Sequence, residues 1–482
     1  MRVFIVVIIL FCTMSSIGQQ TIAFEQKHPA DFYYKRISKE QVRNDIQFWV
    51  STQEASHVNL YHGISKKELA QLAENLLAGY KGDSLTHNQT VFLFSRLSAS
   101  LQEGHLGLVS SRITDSLYTN SIRFPFMIRK AEKDAWRVSY DLSKAQLLEY
   151  NDRIVKINNI PVEELNKKYL DYFGGLDTWK YEQIGYYSRK LLFLDGISSP
   201  YQIEAIKENG MRKSYTVEGF SRAEADSINK ALAVKLNSTG NKPYEFKFLP
   251  NGVGYLNYRS MRNDKSLPFE KFLDETFGKL KDSNATGLII DLRENGGGDS
   301  QLGELLIRYF NKKPYIFAGG MKWKISAPYK TFLKAQANYN DADSRFYMSQ
   351  KDGDTYEYIN EQLTIPTPKE PFFNGKVAVL IGTGTFSSAN MLADGIVSYK
   401  LAKTFGEPTG ESPNDFGEMY NFMLPNSHII ARGATKLFTR ANKDEKDFGP
   451  VIPENIVYTS AADLKQKKDK VLETAVNWIL NR

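Results

Sequence analysis

Apolar positions change their period several times along this chain, and each change marks a different kind of element. Between residues 38 and 103 the spacing is helical: Leu69, Leu72, Leu76 and Leu77 share one face, and Val91, Phe92, Leu97 and Leu101 share another, with Gly104 as the expected stop. From 123 to 220 the pattern shortens to strand-like runs at 123–128, 136–140 and 153–157, with a helical stretch at 162–172. A helical connector at 222–238 leads to an alternating strand at 252–258 and an amphipathic helix at 269–280. Two continuously apolar, partly β-branched runs follow, at 288–292 and 377–381, the pattern of strands buried on both faces. Each runs into a helical pattern, and a last helix is expected at 464–480. Strand and helix alternate in this way to the end, which predicts an α/β layered domain with a largely parallel sheet.

The turns after the two buried strands carry the candidate chemistry. The first is Asp291-Leu-Arg-Glu-Asn-Gly-Gly-Gly298, and three consecutive glycines go beyond what a plain strand-to-helix turn needs. The second is the small-residue corner Thr383-Gly-Thr-Phe-Ser-Ser-Ala-Asn390. A serine at such a corner stands clear of the sheet, beside the unpaired N–H groups of the next helix's first turn. Ser387 or Ser388 is therefore a candidate nucleophile, although a serine at a helix start also serves as an N-cap.

Taken together, Asp291 to Gly298, Thr385-Phe-Ser-Ser-Ala-Asn390 and Gly406-Glu-Pro-Thr409 resemble the serine peptidases that include the C-terminal processing (tail-specific) proteases, the tricorn core protease and the interphotoreceptor retinoid-binding proteins. The resemblance spans roughly residues 85 to 457. It implies a crotonase-like catalytic fold, Ser387 as nucleophile, and an oxyanion hole from the backbone N–H groups of Ser388 and Gly297. The tail-specific branch places a catalytic lysine just after the Gly-Glu-Pro-Thr segment. Here Gly406-Glu-Pro-Thr-Gly-Glu-Ser412 puts Ser412 in that place, and a neutral hydroxyl cannot take the proton from Ser387. The tricorn-like and retinoid-binding-like branches carry a histidine base in a Gly-His segment, which maps to His105 in Gly104-His-Leu-Gly107. His28, His57, His62, His87 and His428 lack that setting and read as structural. A histidine base needs an acceptor, and the tricorn-like branch implies a glutamate near the end of the domain. Asp444, Glu445 and Asp447 all meet that description, with Glu445 favoured.

Leu147 to Val162 resembles the core segment of PDZ domains, with Asn151 and Asn159 where glycines are usual; asparagine tolerates the left-handed turns required there. Such domains take peptides on a sheet edge, and a packing module without ligand is the equal alternative. The expected organisation is a signal peptide at 1–18, an N-terminal helical region at 19–110, a PDZ-like domain at 120–220 and a crotonase-like peptidase domain at 221–482. Residues 319–370, rich in Lys, Tyr, Asn and Asp, read as an excursion over the active-site face.

Composition narrows the setting. Met1-Arg2, ten uncharged residues from Val3 to Cys12, and small residues at Ser16 and Gly18 form a secretory signal pattern too short for a permanent span. An exported protein, periplasmic or secreted, is expected. Cys12, the single cysteine, would leave with that segment, so neither disulfides nor thiol chemistry is expected in the mature chain. The net charge of +7, from 62 basic and 55 acidic residues, is spread along the chain without a basic block, which argues against nucleic-acid binding. No two histidines have metal-ligand spacing, and the triple glycine lacks a phosphate-loop ending, so neither metal nor cofactor is expected. The resulting expectation is an exported serine endopeptidase acting on unfolded proteins or peptides. The alternative is a catalytically silent module on the same scaffold that holds peptides or lipophilic molecules.

Overall fold

The computed structural model describes residues 35–225, 227–228, 242–336, 341–460, 463, 466 and 468–481. The expected signal segment with Cys12, His28, much of the 222–238 connector and residues 464, 465 and 467 of the closing helix lie outside the described residues. The architecture is mixed α/β, a crotonase-like catalytic sheet with a helical N-terminal region and a PDZ-like β-rich part.

The catalytic sheet runs in the order Asn455–Ile456, Lys403–Gly406, Lys376–Ile381, Gly287–Asp291, Gly254–Tyr258, Tyr244–Phe248. All neighbours pair in parallel except the last strand, an antiparallel edge. Both faces are covered, which is why its central strands read as unbroken apolar runs. Leu288, Ile290, Val377, Val379 and Ile381 face a core shared with the helices Phe269–Asp282, Ser300–Ile307 and Ser388–Tyr399. Ile289, Ala378 and Leu380, one residue out of phase, face the helix Lys470–Ile479.

Two other sheets complete the frame of the site. Residues 319–370, expected as an excursion, fold into the strands Gly320–Lys324 and Thr355–Ile359 and the helices Ala327–Lys334 and Ala342–Ser349. The strands join Ile430–Thr439 and Asp415–Met423 in a four-stranded antiparallel sheet. The β-rich part builds an antiparallel sheet from Phe126–Glu132, Ala135–Asp141, Arg153–Ile157, Tyr201–Ile206 and Arg212–Val217, backed by the helices Val162–Leu170 and Asp177–Leu194. Asn151 and Asn159 take φ of 74° and 62°, the left-handed turns that their residue type suits.

At the N-terminal end, the helices Lys39–Ser56, Lys66–Gly79 and His87–Ala99 each start with a capping box, at Ser38, Ser65 and Thr86. Each box satisfies two backbone N–H groups that the helix leaves open. Leu69, Leu76 and Leu77 are buried as the spacing predicts. The helix before His105 ends at Ala99, earlier than expected, and Gln102 takes the left-handed turn with φ 61°. Gly104 is needed for another reason: a Cβ there would sit 2.9 Å from the Phe386 ring. Among the described residues, no helix is long and apolar enough to cross a membrane.

Candidate active site

Parallel strands deliver their turns to one edge, and this sheet does so with three neighbours. Gly287–Asp291 ends in the glycine loop, Lys376–Ile381 in the serine corner, and Lys403–Gly406 in the segment that carries Glu411. Clefts at the carboxyl ends of such strands are where α/β sheets hold ligands.

Ser387 sits at the N-cap position of Ser388–Tyr399 with φ 53° and ψ −130°, and its side chain caps nothing. A non-glycine residue in that conformation is strained, and strain of this kind collects at functional corners. The Ser387 N–H donates to Glu411 Oε2 at 2.5 Å. Its Oγ lies 3.1 Å from His105 Nε2. Ser388, in contrast, donates its hydroxyl to the Gly298 carbonyl at 2.6 Å. The two serines that the sequence leaves as alternatives thus have different roles: one hydroxyl faces an imidazole, the other ties the corner to the glycine loop.

That loop needs two of its glycines. Gly297 has φ 94°, and a Cβ there would stand 2.8 Å from Ser387 Cβ and 2.9 Å from the Ser388 nitrogen. Gly298 has φ 135°, and a Cβ there would lie 2.4 Å from the Met261 carbonyl oxygen. Buried Asn295 braces the loop. Its Nδ2 donates to the Tyr258 carbonyl at 2.8 Å, and its Oδ1 accepts the Gly297 N–H at 2.9 Å. The Gly297 N–H expected as an oxyanion donor is therefore engaged, whereas those of Ser388 and Gly298 have no hydrogen bond among the described residues. Asp291 and Arg293, earlier in the same motif, do structural work. Arg293 pairs with Asp291 at 2.6 Å and with Asp469 at 2.7 Å, tying the last helix to the sheet.

His105 arrives from the N-terminal region. Its ring lies beside Phe386, centroids 4.9 Å apart, and Trp179 of the Asp177–Leu194 helix donates to the neighbouring Gly104 carbonyl at 3.2 Å. On the ring's far side, Nδ1 lies 3.1 Å from Glu411 Oε1 and 3.0 Å from Asp415 Oδ2. Burial alone would lower the His105 pKa; Asp415 and then Glu411 outweigh it and hold the imidazole well above its ordinary range. Burial and then repulsion from Asp415 push the Glu411 carboxyl up to about 8. His105, Glu411 and Asp415 could also hold a metal ion, since one ligand atom from each falls within 4.8 Å of the others. His105 is far from Glu411 and Asp415 in the chain, so a reading of ligand spacing does not find the group.

Glu445 is elsewhere. It is exposed, with its carboxylate 3.4 Å from Lys322 Nζ. Asp444 caps a local turn by accepting the Lys446 N–H, and Asp447 pairs with Arg440. The structure brings none of the three to His105; Glu411 and Asp415 take that place. A buried acid directly after Pro408-Thr-Gly410, in the segment that follows the strand beside the nucleophile's strand, is the signal that points to Glu411. His57 and His62, read as structural, both bond to buried Glu103, at 2.8 and 3.2 Å. Beside Ser387, Ala318, Met321, Met391, Pro413 and Phe438 form apolar walls of a pocket.

A serine hydrolase site on an α/β sheet is the class these elements define. Residues 252–449 match the model of peptidase family S41. Among solved structures, mature CPAF is similar with a TM-score of 0.63 at 14% identity, covering 92% of this chain and 98% of that one. Mature CPAF complexed with lactacystin is similar with a TM-score of 0.64 at 15% identity, covering 92% of this chain and 99% of that one. At such identity the likeness is one of fold. No curated protein matches the sequence.

Proposed function

We propose that this protein is an exported serine endopeptidase that cleaves unfolded proteins or peptides, with Ser387 as nucleophile and His105 as general base. The observation that carries the reading is the 3.1 Å approach of His105 Nε2 to Ser387 Oγ at a strained strand-to-helix corner. His105 takes the Ser387 proton as Oγ attacks the peptide carbonyl carbon, and the resulting imidazolium is steadied through Nδ1 by Asp415 and Glu411. The N–H groups of Ser388 and Gly298 receive the oxyanion, each worth about 3 kcal/mol, or two to three decades in rate. His105 then gives its proton to the leaving amine. Water, deprotonated by the same imidazole, attacks the acyl-enzyme and frees Ser387. Export rests on the signal pattern at 1–18.

The test is hydrolysis of a denatured reporter protein by the purified chain, compared with Ser387→Ala and Ser388→Ala. The reading expects cleavage by wild type, loss of about three decades or more with Ser387→Ala, and a smaller loss with Ser388→Ala. A folded wild type that binds the denatured protein without cleaving it, or a Ser387→Ala variant that still cleaves, contradicts the reading. The first of these results would favour a silent binding module.

A further inference from the structure

The face of His105 turned away from Ser387 carries more acceptors than one ring proton can satisfy. Nδ1 is 3.0 Å from Asp415 Oδ2 and 3.1 Å from Glu411 Oε1, and one N–H serves only one of them. Glu411 is 4% exposed, and its Oε1, aimed into this cluster, has the ion-pair approach of His105 Nδ1 at 3.1 Å but no well-directed hydrogen bond. Its other oxygen is held by the Ser387 N–H at 2.5 Å, so the carboxylate cannot turn away to find one. A buried carboxylate oxygen left without a well-directed hydrogen bond is costly unless a cation reaches it.

We propose that His105 Nδ1, Glu411 Oε1 and Asp415 Oδ2 form an inhibitory zinc site. Imidazole nitrogen and carboxylate oxygen are zinc ligands, bound at about 2.0–2.2 Å. Two ligands at that distance from one ion and roughly 90–110° apart are separated by roughly 2.8–3.6 Å, a range that includes the 3.0 and 3.1 Å from Nδ1 to the two oxygens. Two carboxylates balance the charge of a divalent ion, and three protein ligands leave a fourth position for water. Glu411 and Asp415 also line a wide cleft with Asn59, Gln102 and Phe448, and Ser387 does not border it.

The consequence for catalysis follows from the ring. A neutral imidazole has one N–H and one lone pair. Zinc takes the Nδ1 lone pair, so the proton that stood on Nδ1 goes to Nε2 or to solvent from an already doubly protonated ring. Nε2 then points an N–H at Ser387 and has no lone pair with which to accept its proton. Zinc binding therefore switches the base off without touching the nucleophile.

This inference goes beyond the peptidase reading, because zinc binding is measured without any substrate. The experiment is calorimetric titration of zinc chloride into the full chain, with Glu411→Gln, Asp415→Asn, Ser387→Ala and His62→Ala, each checked for folding by circular dichroism. The last variant separates this site from the His57–Glu103–His62 cluster. One saturable site is expected, weakened at least tenfold by Glu411→Gln and by Asp415→Asn, and kept by Ser387→Ala and His62→Ala. Zinc is also expected to stop fluorophosphonate labelling of wild type, with recovery on adding EDTA. Absence of saturable binding by folded wild type, or binding lost with His62→Ala and kept with Glu411→Gln, overturns the site. Zinc bound through Glu411 with labelling unchanged overturns the inhibition. A chain that binds zinc through Glu411 but never labels, even without zinc, supports the site and contradicts the peptidase reading instead.

Discussion

Trp179 stacks on Phe386, with ring centroids 3.9 Å apart and planes 17° from parallel. Phe386 immediately precedes Ser387, and the Trp179 indole N–H holds the carbonyl of Gly104, the residue before His105. One side chain of the β-rich part therefore touches both halves of the Ser387–His105 pair. Displacements of about 1 Å in such a pair cost on the order of a hundredfold in rate. Trp179→Ala is expected to lower kcat by one to two decades with little change in KM. Trp179→Phe, which keeps the stacking and loses the N–H, should lie between. Steady-state kinetics on a peptide substrate decide it, and an unchanged kcat in Trp179→Ala would show that the stack is dispensable.

Asp415 is the strongest charge holding His105 protonated. Because His105 acts as a base only when neutral, activity should rise with pH along a limb displaced to the alkaline side of an ordinary histidine. Removing a negative neighbour lowers a histidine pKa. Asp415→Asn is thus expected to move the acid limb of kcat/KM to lower pH, and to lower the plateau because the imidazolium loses an acceptor. A pH profile from 5 to 10 reads both effects; a limb that stays in place excludes Asp415 as the partner.

Glu304, in the Ser300–Ile307 helix, is pushed up to about 7 by burial and then by Asp299. The fold therefore favours its protonated form. That contribution to stability is complete below the unfolded value near 4.5 and is lost as pH rises through about 7. Glu304→Gln, which mimics the protonated side chain, should match wild type near pH 4 and exceed it at pH 8 by about 1–3 kcal/mol. Denaturant melts at the two pH values test this, with equal stability at pH 8 as the contrary result.

Asn295 bonds to both the Tyr258 carbonyl and the Gly297 N–H from a fully buried position. Asn295→Ala leaves two buried backbone groups unpaired and is expected to destabilise by about 2–4 kcal/mol. Asn295→Asp keeps the acceptor for Gly297 and should retain more activity per folded molecule than Asn295→Ala. Melting midpoints paired with active-site titration separate the two effects.

Much of this site was legible because its parts are local. A strand buried on both faces reads as an unbroken apolar run, so Gly287–Asp291 and Lys376–Ile381 stand out, and the turns after them carry the triple glycine and Ser387. His105 was singled out by its Gly-His setting, and it lies 3.1 Å from Ser387 Oγ, although the glycine serves Phe386 and not the helix end. The carboxylates at His105 were not legible. Glu411 and Asp415 reach it from the segment after a different strand and from a different sheet, and nothing in their spacing shows which acid the fold will bury. Glu445 was drawn in by its place near the domain's end, yet it lies at the surface against Lys322. The Gly297 N–H, in turn, was assigned without knowing that Asn295 folds back to accept it. Trp179 left no signal, since a lone tryptophan on a helix reads as packing.

The most direct test of the central claim is to treat the purified chain with a fluorophosphonate and locate the adduct by peptide mass spectrometry, in wild type, Ser387→Ala and His105→Ala. The account predicts one adduct, on Ser387, absent from Ser387→Ala and reduced by about two decades or more in rate in His105→Ala. An adduct on Ser388, or labelling of Ser387 that proceeds unchanged without the His105 imidazole, would contradict it.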